Sequence, residues 1–313
     1  MDFKKERVNI HNQFPEVILF KAEKKFREKL EKANKASPFI PIRLGYDGDT
    51  TFQTCVGHLV DGLEFLPFRP DYMFDHCFKV IDEAGGPLFF EKGITGVVQG
   101  LGNELLKHSR KDWEDIITLL GTCIPLMTCR FLAKRLCEAH FLSDTNSKSL
   151  SKRAISCFGK QFYTEFIEKF ALDENDKKTG KISPVSIEKG ASFIKLYLSG
   201  TVAGKRKKRA KESHTWLDLS KQNNVPTPNQ RIEFLLSLLL FNMRNERAHG
   251  AVLSPFRTSK SSIERYQSYY FAMLCCYTFC LGVLDLKGYA SLNSDKIKNC
   301  VLENVELQST FFE

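Results

Sequence analysis

The chain has 313 residues, enough for one large domain or two ordinary ones and for a core that needs no disulfide staples. Hydrophobic residues at 42% and charged ones at 27% exclude a wholly disordered, collagen-like or coiled-coil chain. The net charge of +9 is unevenly placed: positions 201–260 carry twelve basic and four acidic residues, a balance of +8, so the partner of that window is expected to be anionic.

Apolar residues recur at three and four positions almost throughout, with no sustained two-residue alternation, so the fold expected is all-α. The stretch Met1-Asp2-Phe3-Lys4-Lys5-Glu6-Arg7 lacks the apolar core of a signal peptide. An amphipathic, lysine-rich helix is predicted over Phe14–Ala33, a turn at Asp47-Gly48-Asp49, and short helices over Thr51–Phe65 and Asp71–Asp82. None of these carries an evident reactive group. Asp112 is expected to cap a long helix towards His140, kinked or split by Pro125, and a further helix to run from the Ser143–Asn146 turn to about Leu172. Ser183 and Pro184 open another, which stops at Gly200.

From Lys205 to Lys211 six of seven residues are basic, a self-repelling run expected as an exposed loop. Thr227, Pro228 and Gln230 then form a capping box ahead of the stripe Ile232, Leu235, Leu236, Leu239 and Met243, and Gly250 closes that helix. Ser261 and Glu264 open one of about 25 residues that ends near Leu286. The apolar runs Phe234–Phe241 and Tyr269–Leu284 each fall short of a bilayer span and read as buried helices, so no membrane partner is expected. Two regions follow: an N-terminal helical region over 1–110, and a helical domain over 111–313 with an exposed basic insertion near 201–226. The ten cysteines lack regular spacing, which fits buried thiols in a reducing cytoplasm better than a disulfide framework.

The segment Arg244-Asn245-Glu246-Arg247-Ala248-His249-Gly250 carries the chemistry. Imidazole changes charge near neutrality, so His249 can exchange a proton with a ribose 2′-hydroxyl or a leaving oxygen. Arginine presents a planar fork of donors to charge growing on phosphate, the role open to Arg244. Asn245, one turn before His249, can orient the ring or hold a phosphate oxygen. On an ideal helix Arg244 and His249 lie about 140° apart. Either the helix loosens near Gly250, or both groups converge on a phosphate lying across the helix end, or a second subunit completes the site.

This R-N-x-x-x-H-G string at a helix end resembles the signature of the HEPN superfamily of ribonucleases. The resemblance implies a four-helix-bundle core paired into a homodimer with two motifs in one cleft. It implies metal-independent endoribonuclease activity that leaves a 2′,3′-cyclic phosphate and a 5′-hydroxyl, of the kind found in toxins and phage-defence effectors. It implies Arg244, Asn245 and His249 as catalytic residues. A regulator or antitoxin is then an expected partner beside RNA.

Lys205, Arg206, Lys207, Lys208, Arg209, Lys211 and Arg247 are candidate RNA-binding residues whose contribution falls with salt. The alternatives for the basic run are a solvated loop and a nuclear-import signal. Arg69/His76, Arg135/His140 and Arg209/His214 also bring Arg and His near each other in sequence, and Arg135/His140, on a helix, is the serious decoy. Cys137 and His140 have the spacing of two zinc ligands but no C-x-x-C pair completes them, so neither metal nor cofactor is expected. Gly93, Gly96, Gly100 and Gly102 form no phosphate-binding fingerprint, and Asp173–Gly180 lacks the pattern of a calcium loop. The rival reading of the whole chain is a non-catalytic, all-α RNA-binding or protein-interaction module.

Overall fold

The computed structural model describes residues 2–16, 18–90, 92–172, 181–204, 214–250 and 254–313. The protein is all-α, with no strand among the described residues. The basic run 205–211 and the Asp173–Gly180 stretch lie outside them, and so do the expectations attached to both.

The helix α1 spans Phe3–Asn12, α2 Lys21–Ala33, α3 Thr50–Glu64 and α4 Pro70–Gly85. Residues 14–16 and 18–20 are not helical, in contrast to the predicted Phe14 start, because Pro15 disfavours helix at the residue before it. The chain enters α2 at Phe20, whose N–H donates to the Glu23 carboxylate at 2.7 Å. α5 spans Gly93–His108, α6 Arg110–Cys123 and α7 Leu126–Phe141. The break between α6 and α7 falls at Ile124-Pro125 and turns the path by 90°, the split expected of Pro125. Asp112 lies in the first turn of α6 rather than at its cap.

α8 spans Thr145–Phe158 and α9 Lys160–Phe170, so the single helix predicted to Leu172 is broken at Gly159. α10 covers Pro184–Ser199 between its Ser183 cap and Gly200, as its end signals specify. α11 covers Pro228–Glu233, a π-helical segment follows over Phe234–Leu240, and α12 covers Phe241–Ala248. α13 spans Ile263–Leu286, capped by Ser262 in place of the expected Ser261, and α14 spans Ser294–Phe312.

α13 is apolar all round and every residue from Tyr269 to Asp285 is buried, so it forms the axis of the core. At 24 residues it is long and apolar enough to cross a membrane, and 94% of its apolar window is enclosed by other helices. α4 packs along one side of it and α14 along another, with α6 packed on α14, while α7 pairs with α10. A single hydrophobic core runs from Ala22 to Phe311 across the boundary predicted near residue 110. Phe26 of α2 stacks on Tyr266 of α13 at 4.0 Å, and Phe256 stacks on the same ring at 4.1 Å. Such pairs each add about 1 kcal/mol beyond their buried area. On α5 Gly102 serves packing: a Cβ there would meet Ile232 Cγ2 at 2.9 Å.

Nine cysteines are buried and Cys123 is half-buried, and none is joined in a disulfide. Burial pushes the Cys55 thiol up to about 11 and the Cys123 thiol up to about 12, which makes them poor nucleophiles at neutral pH.

Asp112 joins α6 to α14. Hydrogen bonds from Lys298 and Ser109 hold its carboxyl well down, at about 2, against an ordinary value near 4. The stabilisation is therefore complete above the ordinary carboxylate range and disappears as pH falls through about 2. The side chains of Lys298 and Asp112 are 23% and 20% exposed, so screening holds the expected gain to about 1 kcal/mol. Asp112→Asn should remove that much stability at pH 7 and almost none near pH 2, measured by urea unfolding at both pH values.

Candidate active site

The motif sits where one helix leaves the core. Thr227 Oγ1 accepts the Gln230 N–H, and Gln230 Oε1 accepts the Thr227 N–H at 2.9 Å, the reciprocal box its sequence specifies. The π-helical segment Phe234–Leu240 is wholly buried against α13, α8 and α5. Beyond it Asn242 and Met243 are still buried, Arg244 to Arg247 are half-buried, and Ala248, His249 and Gly250 are exposed. His249 caps α12 with non-helical φ −92° and ψ 9°, and its N–H still donates to the Asn245 carbonyl at 3.1 Å. Gly250 follows at φ +64°, a left-handed turn that costs any other residue strain although space there is open.

The guanidinium of Arg244 lies 5.9 Å from the centre of the Phe78 ring on α4 and donates to Asn245 Oδ1 at 3.2 Å. It has no carboxylate partner among the described residues. The His249 side chain likewise makes no hydrogen bond or ion pair among them. No hydrogen bond joins Arg244 to His249 among the described residues, so the structure places both at one helix end without bonding them to each other. Asn245 contacts Arg244 directly, where the sequence suggested a role in orienting His249.

Arg247 is committed elsewhere. Its Nε donates to Asp75 Oδ1 at 2.7 Å and its Nη1 to Asp71 Oδ2 at 3.1 Å, both on α4. Burial opposes the charge, but Asp75 and Asp71 outweigh it and raise the proton affinity further. With its donors facing carboxylates and only 12% of the side chain exposed, Arg247 acts as a clamp between α12 and α4 rather than as the free RNA contact expected of it. Arg69 shares the same carboxylate, donating to Asp71 through Nε at 2.9 Å and Nη2 at 2.8 Å.

The decoy pair is likewise accounted for. Arg135 donates to Glu138 through Nη1 and to Glu246 through Nη2, each at 2.9 Å, while His140 is exposed and lies edge-on to Phe141. Cys137 is buried with its thiol towards the Phe170 carbonyl, apart from the exposed His140. Of the remaining pair, His214 lies 4.0 Å from Glu168, and Arg209 falls outside the described residues.

Beside Asn245 opens a polar cleft of about 270 Å³ between α7, α8 and α12. Asn242 and Glu246 line it, joined by an Asn242 Nδ2 to Glu246 Oε1 bond of 3.1 Å. Arg153 lines it too, 7% exposed, with Nε on the Ser237 carbonyl at 3.2 Å and Nη1 on Ser149 Oγ at 2.7 Å. It has no carboxylate partner among the described residues, and burial alone lowers its proton affinity to about 10. A signal for Arg153 existed in the sequence: it interrupts the stripe Leu150, Ala154 and Cys157, a cation on a core-facing row.

The arrangement offers an exposed imidazole, a guanidinium with no carboxylate partner among the described residues and an amide bonded to that guanidinium. Compared with protein-family models, with curated proteins and with solved structures, the chain matches none of them.

Proposed function

We propose that this protein is a metal-independent endoribonuclease of the HEPN type. His249 takes the proton from a ribose 2′-hydroxyl, whose oxygen attacks the adjacent phosphorus. The bond from phosphorus to the 5′-oxygen breaks, and that oxygen takes a proton from solvent water as it leaves, while His249 returns its own proton to solvent. Arg244 stabilises the charge that gathers on the phosphoryl oxygens, and Asn245 steadies Arg244. The products are a 2′,3′-cyclic phosphate and a 5′-hydroxyl. Because no hydrogen bond joins Arg244 to His249 among the described residues, the reading includes a homodimer built on a four-helix core, in which His249 of the partner subunit completes each site.

One observation carries this reading: Arg135 of α7 and Arg247 of α12 are held by carboxylates, whereas Arg244 has no carboxylate partner among the described residues and shares its helix end with an exposed histidine. A chain that cuts RNA also needs restraint in its own cell, so a protein regulator belongs to the proposal.

Incubated with total RNA in EDTA, the protein is expected to produce fragments ending in cyclic phosphate, read by end-group analysis. A single 2′-deoxyribose at the cut position should abolish cleavage there, because the attacking oxygen is gone. Salt-sensitive binding without any cleavage would replace the enzyme by a binding module.

A further inference from the structure

The first third of the chain, quiet in sequence, holds a second cluster. His58 and Asp61 stand three residues apart on α3, hence on one face, and His76 faces them from α4. One ligand atom from each lies within 4.8 Å of the others. The two imidazole rings meet edge to face, with centroids 5.8 Å apart and planes at 62°, which leaves their nitrogens free to converge. His76 Nδ1 is shielded from solvent and has no hydrogen-bond partner among the described residues. An orphaned ring nitrogen of this kind costs stability unless something satisfies it.

The helix contact itself is built around this spot. A Cβ at Gly62 would stand 3.0 Å from His76 Cβ and press on the Met73 side chain, so a glycine there eases the close approach of α3 to α4 next to Asp61. Two imidazoles and one carboxylate suit a borderline transition metal, whereas magnesium and calcium require oxygen donors throughout.

We propose that His58, Asp61 and His76 bind one divalent ion of the zinc class and thereby pin α3 to α4. Water fills the remaining positions. Burial and Lys79 favour the neutral His76 ring, which is the form that ligates, while Asp61 opposes them. The ion is structural with respect to the RNA chemistry: it lies on the helix that also carries Asp71 and Asp75, and it takes no part in cleavage. The proposal therefore stands or falls independently of the ribonuclease reading.

Cobalt(II) titrated into the chelator-stripped, full-length protein is the probe. One equivalent should bind, with visible d–d absorption, no near-ultraviolet thiolate band, and displacement by zinc. Zinc at a hundredfold excess over Kd should raise the melting midpoint by about 5 °C. His58→Ala, on a half-exposed face, should keep the helical circular dichroism and lose at least about 100-fold in zinc affinity, and His76→Ala should do the same. RNA cleavage by His58→Ala should equal wild type. Absence of stoichiometric binding, a thiolate band, or unchanged affinity in a His58→Ala/His76→Ala double variant would overturn the site.

Discussion

His249→Ala is expected to lower RNA cleavage by about 1000-fold or more, since it removes the proton-transfer group. Arg244→Ala should cost about 100- to 1000-fold through loss of transition-state charge stabilisation. Neither change should disturb folding, because His249 is exposed and Arg244 half-buried without an ion pair among the described residues. The decisive form of the experiment mixes the two inactive variants. If each site draws Arg244 from one subunit and His249 from the other, a heterodimer of Arg244→Ala with His249→Ala keeps one intact site and one doubly damaged site. Random exchange makes half the dimers mixed, so activity should recover to about one quarter of wild type. If both groups serve within one chain, every site in the mixture stays damaged and nothing returns. Recovery would establish the shared cleft, and failure with both single variants inactive would keep the residues but discard the dimeric site.

The helix that carries this motif was legible because its ends are chemical: Thr227, Pro228 and Gln230 at one, Gly250 at the other. The same holds for α10, bounded by Ser183-Pro184 and Gly200. α1 was not legible, since it buries no residue and so shows no apolar stripe for periodicity to detect. The π-helical turn was hidden as well, because seven consecutive buried residues give no phase by which to tell i+4 from i+5 spacing. The sharper gap concerns charge. Arg247 stands between Arg244 and His249 and looked like a third phosphate contact, but its partners Asp71 and Asp75 are 176 and 172 residues away. No local pattern encodes a pairing at that distance. The cluster of His58, Asp61 and His76 escaped for a related reason: its i,i+3 half is visible on α3, while the ligand that would make it a site comes from another helix.

The clamp around Asp71 should dominate the stability of the motif helix. Asp71 is fully buried and accepts from Arg69 and Arg247 together, so Asp71→Ala leaves Arg69 without its carboxylate and Arg247 with Asp75 alone. Breaking a buried ion pair from one side costs about 3–5 kcal/mol, and this is the loss expected in urea unfolding of Asp71→Ala. Asp75 has 31% of its side chain exposed, so Asp75→Ala should cost less, about 1–2 kcal/mol. Arg247→Met tests the same contact from the opposite side and separates the clamp from a direct RNA contact. A phosphate-binding arginine, when removed, lowers the slope of log affinity against log salt by about 1 and leaves the melting point alone. A clamp arginine does the reverse: the melting point of Arg247→Met should fall, with RNA affinity and its salt slope held at wild-type values in the folded protein. A reduced salt slope at unchanged stability would return Arg247 to the RNA surface and leave Asp71 and Asp75 as incidental neighbours.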